Sequence, residues 1–164
     1  MTLIRPLSPQ TDRAAIRTLY DRAADYIDLE TGLPPDDALV EEFFNDAPPG
    51  GDPATSLKLG LFTGPRLDAI AYLAFGWPEA SDAYLGLLLI AADQRNHGLG
   101  RVFVDRLLTE ARARNAPRLL LAVLAANPRG MAFWQREGFS EVLRGPPTRM
   151  GQRTHVRIRM ERRL

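Results

Sequence analysis

The sequence predicts a mixed α/β fold in one domain spanning residues 1–164, and three observations predict it. Strand-like apolar runs alternate with segments of helical apolar spacing, centred on a strand–helix–strand–helix unit from Ala83 to Glu137. The composition, 45% hydrophobic and 25% charged, is that of a globular chain, and the length is enough to bury a core. No internal repeat or linker divides the chain.

The elements follow in order. Leu3-Ile4 is a short apolar run of the kind found on a sheet edge. From Thr11 to Asp25 the apolar residues Ala15, Ile16, Leu19 and Ala23 recur at helical spacing. Thr31-Gly32-Leu33-Pro34-Pro35 breaks the chain, and Asp36 or Asp37 is placed to cap a second helix running toward Phe44. Ala47 to Pro53 is a loop on its Pro and Gly content. Leu57–Phe62 and Leu67–Phe75 read as strands joined at Thr63-Gly64-Pro65, a hairpin. After a loop at Gly76–Ala80, Ala83–Ile90 is an apolar strand. Gly98–Arg114 is an amphipathic helix with Leu99, Phe103, Leu107 and Ala111 four apart. Leu119–Leu124 is apolar throughout, as a strand buried on both faces should be. Pro128 opens a helix lasting to about Glu137. Val142-Leu143 and the alternating Val156–Met160 complete the strands.

Composition excludes several classes of function. There is no cysteine, so neither disulfides nor thiolate chemistry are available. His97 and His155 have no metal-ligand spacing around them, and no metal is expected. No apolar leader or membrane-spanning stretch is present, which places the chain in the cytoplasm with no membrane partner. The basic residues lack an aromatic stacking set, so nucleic acid is not an expected partner either. The net charge of +1 hides an asymmetry: residues 1–82 carry 14 acidic and 6 basic side chains, the remainder 6 acidic and 15 basic. Such a split fits an anionic ligand on the C-terminal half and a cationic one near the acidic half, or simply solvated helix faces.

The segment Arg95-Asn96-His97-Gly98-Leu99-Gly100 leaves a strand and opens a helix. The first amides of a helix have no internal partner, and the helix dipole draws anions to that end. Two glycines permit unusual backbone angles and close approach of a phosphate, while Arg95 and Arg101 can add charge-assisted hydrogen bonds. The lysine and Ser/Thr of a P-loop are missing, and the third glycine of a dinucleotide turn would fall at Phe103. A turn that needs glycine only for its geometry would look the same.

Leu88-x-Ile90, Arg95-x-x-Gly98-x-Gly100 and the helix behind them resemble the cofactor core of the GNAT superfamily of acyl-CoA-dependent N-acyltransferases. Asn127, Phe133-Trp134 and Gly138-Phe139 are similar to the second signature of that family, with its spacing. The resemblance covers residues 83 to 142. It implies a central mixed, mostly antiparallel sheet of about six to seven strands flanked by about four helices. It further implies acetyl-CoA or another acyl-CoA as donor, an amine acceptor, and possible homodimers. Leu88, Leu89 and Ile90 would pair through their main chain with the pantetheine. The amides of Arg95, Asn96, His97, Gly98, Leu99 and Gly100, with Arg101, would hold the pyrophosphate. Asn127 would bond a pantetheine amide, or only cap the helix opened by Pro128.

The resemblance also implies direct attack of a neutral amine on the thioester through a tetrahedral intermediate, with the Leu88 N–H facing the oxyanion. Trp134 stands where the family commonly has a tyrosine acid, and an indole N–H donates hydrogen bonds without acting as an acid. Gly130 stands where an alanine is common. Glu79 and Tyr84 are the candidates for the base that frees the amine, against their plainer roles as a loop charge and a strand aromatic. The Trp134 departure keeps a second reading open, that of a catalytically weak acyl-CoA-binding module.

Overall fold

Apolar alternation places the central strands of the main sheet, which is covered by helices on both faces. The computed structural model describes all residues, Met1–Leu164. The elements run β1 (Thr2–Pro6), α1 (Arg13–Arg22), α2 (Ala24–Thr31), α3 (Ala38–Asn45), β2 (Leu57–Thr63), β3 (Arg66–Phe75), β4 (Ala83–Ile90), α4 (Leu99–Ala113), β5 (Arg118–Leu124), α5 (Pro128–Arg136), β6 (Ser140–Arg144), β7 (Thr148–Met150), β8 (Arg153–His155) and β9 (Arg157–Arg163). Seven strands form one sheet in the order β1-β2-β3-β4-β5-β9-β6, while β7 and β8 form a separate hairpin. All pairs in the large sheet are antiparallel except β4 with β5. This is the mixed, mostly antiparallel sheet expected, with five helices in place of about four.

Alternation along β3 sorts the two cores. Ala69, Ala71 and Leu73 pack with Phe103, Leu107 and Ala111 of α4 and with Trp134 of α5. Ile70, Tyr72 and Ala74 point to the other face, against Ile16, Leu19 and Tyr20 of α1, Ile27 of α2 and Val40 and Phe43 of α3. In β4 the alternation slips by one. Tyr72 pairs with Leu87 but Leu73 with Leu85, so Gly86 is an extra residue, a β-bulge. Ala83 and Leu85 before the bulge therefore share a face with Leu88 and Ile90 after it. Only glycine fits there, since a Cβ at position 86 would lie 1.9 Å from the Tyr72 ring.

Three features depart from the sequence reading. The helix expected to end near Asp25 changes direction at Ala23, whose N–H bonds Tyr20 O three residues back, and resumes as α2. It closes only at Gly32, which has φ +71°. Asp37 takes the N-cap position of α3, but its side chain makes no capping bond; its carboxylate instead accepts from Arg17 Nε at 3.0 Å. The β7–β8 hairpin is polar, with no apolar alternation to announce it. It is fastened to α2, with Gln152 N–H donating to Thr31 O at 2.8 Å.

Candidate functional site

The parallel pair of β4 and β5 is short. It runs through Ala83↔Leu119, Tyr84↔Leu120 and Leu85↔Leu121 and stops at the Gly86 bulge. From Gly86 to Ile90, β4 has a strand neighbour only on the β3 side, so the sheet splits. The closed end of the split is tied by Arg118, which bonds both Asp82 oxygens at 2.8 and 2.9 Å and Glu161 at 2.8 Å. At the open end a cleft of 1160 Å³ is lined by Tyr84–Ile90, by the turn into α4, by Leu121–Leu124 and by α5, and it extends to α2 and α3.

The turn into α4 supplies free donors. Gly98, the N-cap, takes φ +81° and Asn96 takes φ +64°. The amides of residues 96–101 meet no backbone or side-chain acceptor, and the helix ladder begins with Val102 N–H to Gly98 O. A row of such amides at the start of a 15-residue helix suits an anion. His97 is exposed, Leu99 half-buried, and Arg101 is exposed with no acidic partner. Two residues of this segment have partners that the sequence did not show. Arg95 does not reach toward the cleft as a free cation: it forms a two-pronged pair with Asp25 of α2 at 2.5 and 3.0 Å, and its Nε donates to Ile90 O. Gly100 has a packing role besides its free amide. It is buried, and a Cβ there would meet the Phe133 ring at 2.9 Å and Ile90 at 3.3 Å. Its role is to let α4, α5 and β4 come together.

Asn127 lines the cleft and caps α5, accepting from Gly130 N–H at 3.0 Å. Its Oδ1 is thus engaged while its Nδ2 stays available as a donor. At Gly130 a Cβ would sit 2.5 Å from Asn127 Nδ2, so an alanine there requires the Asn127 side chain to shift. Trp134 is 9% exposed and packs edge-to-face on Phe133 and Phe139, with centroids 4.9 and 5.2 Å away. It belongs to the core while one side borders the cleft.

Of the proposed bases, Tyr84 lies in the cleft and Glu79 does not. The Glu79 side chain is exposed in the loop at the opposite end of β4, where its backbone N–H bonds Asp82. Tyr84 packs against Trp77, and burial raises its pKa, which keeps the phenol neutral and makes it a poor base.

The cleft also gathers residues that local sequence signals do not mark: Tyr20, Tyr26, Glu30, Glu42, Asp46 and Tyr72 on one side, Arg129, Arg136 and Arg157 on the other. They are spread over several helices and strands and the loop after α3. Burial holds Glu30 above its ordinary carboxylate value. Of the acidic segment from Asp21 to Asp52, several members are consumed in ion pairs: Asp21 and Asp37 with Arg17, Asp25 with Arg95, Asp28 with Arg153 and Glu41 with Arg13. Glu30, Glu42 and Asp46 remain unpaired at the cleft. No group of side chains in the structure could hold a metal ion, and no helix is long and apolar enough to cross a membrane.

Residues 37–139, which contain the split parallel pair, the glycine turn and α4, match the model of the acetyltransferase (GNAT) family. The chain belongs to that family. Solved structures of similar shape include an acetyltransferase from Thermus thermophilus, with TM-score 0.80 and 25% identity over 100% of this chain and 97% of that one. The ribosomal-protein-S18-alanine N-acetyltransferase of Escherichia coli aligns with TM-score 0.72 and 22% identity over 99% and 94% of the two chains. The ribosomal-protein-alanine N-acetyltransferase of Brucella melitensis gives 0.74 and 20% over 99% of each. No curated protein sequence matches. At these identities the last two establish the GNAT fold alone.

Proposed function

We propose that the chain is a single N-acetyltransferase domain that moves the acetyl group of acetyl-CoA to a cationic primary amine. The observation that carries this is the β4–β5 split running directly into the free amides of residues 96–101. A pantetheine amide chain needs strand-like partners and a pyrophosphate needs unspent N–H groups, and the cleft offers both in sequence. In this reading Leu88, Leu89 and Ile90 pair with the pantetheine through their main chain. The amides of Asn96 to Arg101 and the Arg101 side chain hold the pyrophosphate, and Asn127 Nδ2 reaches a pantetheine carbonyl. Arg95 acts indirectly, by fastening the turn to α2 through Asp25.

The amine enters from the α2–α3 side, where Glu30, Glu42 and Asp46 make the wall negative. Its nitrogen attacks the thioester carbon, a β4 N–H near the bulge faces the developing oxyanion, and the C–S bond breaks. A thiol resembling cysteine has a pKa of about 8.5, so the thiolate can leave without an acid at Trp134. Peptide amines and small amines both fit this description.

Two measurements test the reading. CoA or acetyl-CoA should raise the melting temperature, since a ligand that binds only the folded state stabilises it by mass action. Thiol release should then be followed with agmatine, spermidine, alaninamide and glutamate, at low and high salt. Cationic amines should be favoured, with a preference that fades as salt screens the wall. Equal or better use of glutamate at low salt would remove the charge argument. The second reading, a weak acyl-CoA-binding module, is favoured by Trp134 at the usual tyrosine position. Stabilisation by CoA with no thiol release from any amine would establish it.

A further inference from the structure

Five carboxylate side chains line the cleft: Asp25, Glu30, Glu42, Asp46 and Glu137. Four are unsuited to proton transfer. Asp25 is committed to Arg95. Glu42 and Asp46 are exposed to solvent. Glu137 ends α5, across the sheet from α2 and α3. Of the carboxylates on the α2–α3 side of the sheet, Glu30 alone is half-buried, without an ion-pair partner, and open to the cleft.

We propose that Glu30 is the base that takes the proton from the incoming amine, reaching the cleft from the last turn of α2 and not from the sheet. This rests on the acyl-transfer reading above. The turn that carries Glu30 is fixed from outside by the β7–β8 hairpin. His155 Nε2 lies 3.0 Å from Leu29 O and 2.9 Å from Glu30 O, Arg153 Nε donates to Asp28 O at 2.6 Å, and Gln152 N–H donates to Thr31 O. A base must be held still to be effective, and the hairpin contacts that hold this one fall on its backbone, while its carboxylate has no cationic partner and accepts only from the Tyr26 hydroxyl. Thus the hairpin that the sequence did not announce has a task, to position α2.

The titratable groups around the carboxylate come from every neighbouring element: Tyr26 one turn earlier on α2, Tyr20 on α1, Glu42 on α3 and His155 on β8. Burial, as the largest influence, raises its pKa above the ordinary 4.5, while Tyr26 and His155 oppose the rise. A carboxylate moved toward the working pH is the better base.

The proton balance is simple. The acceptor arrives as an ammonium, and Glu30 takes one proton to leave a neutral amine. The nitrogen lone pair forms the C–N bond to the acetyl carbon, and collapse of the intermediate breaks the C–S bond. The second proton lost by nitrogen ends on the departing sulfur, and Glu30 returns its proton to water.

The experiment compares the wild-type chain with Glu30→Gln, Glu30→Asp and Glu42→Gln, using agmatine, spermidine and alaninamide as acceptors. All four proteins should be stabilised equally by CoA. Glu30→Gln should lower kcat about 100-fold or more with the best amine, and its rate should climb with pH without the acidic limb of the wild type. Glu30→Asp should recover part of the rate. Glu42→Gln should act mainly on KM, in a salt-dependent way, and keep the acidic limb, moved slightly to lower pH because one negative neighbour of Glu30 is gone. If Glu30→Gln keeps kcat within about twofold and keeps the acidic limb, Glu30 is part of the charged wall only and the proposal is overturned. If no amine releases thiol from the CoA-stabilised wild type, acyl transfer itself fails and Glu30 falls with it; that outcome is distinguishable because it precedes any variant.

Discussion

At the scale of single residues, Tyr72, Gly86 and Lys58 form one fitted unit at the wall of the cleft. The Tyr72 ring lies against the bulge at Gly86, and the Lys58 ammonium sits 3.6 Å from its centroid. Lys58 also donates to Asp46 O at 2.7 Å and to Ser56 Oγ at 3.1 Å, and burial pulls its pKa down to about 8. The Tyr72 hydroxyl, by contrast, is buried with no hydrogen-bond partner. A buried unsatisfied hydroxyl costs about 1–3 kcal/mol, so Tyr72→Phe should leave the melting temperature unchanged or raise it. Gly86→Ala should do the reverse: its Cβ overlaps the same ring, and overpacking of this kind costs about 1–3 kcal/mol. A Tyr72→Phe protein that melts well below wild type would mean that the hydroxyl has a partner after all. Trp134 gives a parallel test in the other core. Trp134→Ala removes two edge-to-face contacts and should cost about 3–5 kcal/mol, read by urea unfolding, whereas Trp134→Phe should cost far less.

At the scale of elements, what could be read from the sequence divides by how local the signal is. The apolar spacing of α4, the continuous run of β5 and the Pro128 start of α5 are each written in neighbouring residues, and each element is found there. Helix α2 and the β7–β8 hairpin were not legible, because one continues past a bend at Ala23 and the other is held by bonds to a helix more than 100 residues away. The site divides the same way. The turn at Asn96–Gly100 announces itself by its glycines, but what each glycine does depends on tertiary neighbours. Gly98 faces open space at φ +81°, so Gly98→Ala should cost about 1–2 kcal/mol of left-handed strain and keep the packing intact. Gly100 is packed against Phe133 of α5, so Gly100→Val should cost more and loosen α4 from the sheet. Thermal melts of the two variants check the order; equal losses would mean that Phe133 moves aside freely. Glu30 was visible only as one acid among many, since its isolation from cations emerges when the other acids find their arginines.

At the scale of the whole molecule, the uneven charge of the two halves has a structural use. Acids of the first half pair with arginines of the second: Asp25 with Arg95, Asp28 with Arg153, Asp82 with Arg118. The most buried of these, Asp82 with Arg118, stands where the split in the sheet closes, and Asp12 and Asp68 are buried with their own arginine partners elsewhere. All three carboxyls are held below the ordinary 3.8: Asp12 and Asp82 foremost by their arginines, Asp68 by hydrogen bonds and arginines that overcome its burial. A carboxylate whose pKa is depressed by folding lends stability that is fully present above its unfolded value and is lost as pH falls through the folded one. The fold should therefore be steady from neutrality down to about pH 4 and lose stability steeply below it. Asp82→Asn isolates one contribution. It leaves Arg118 with Glu161 alone, should cost about 1–3 kcal/mol at pH 7, and should flatten the acid arm of the stability curve because one titrating group is gone. Added salt should recover little of the loss, since the pair lies inside and is weakly screened. Urea midpoints for wild type and Asp82→Asn across the acid range provide the measurement. Parallel curves, displaced but with equal slope, would show that the acid sensitivity arises elsewhere and that Asp82 only packs.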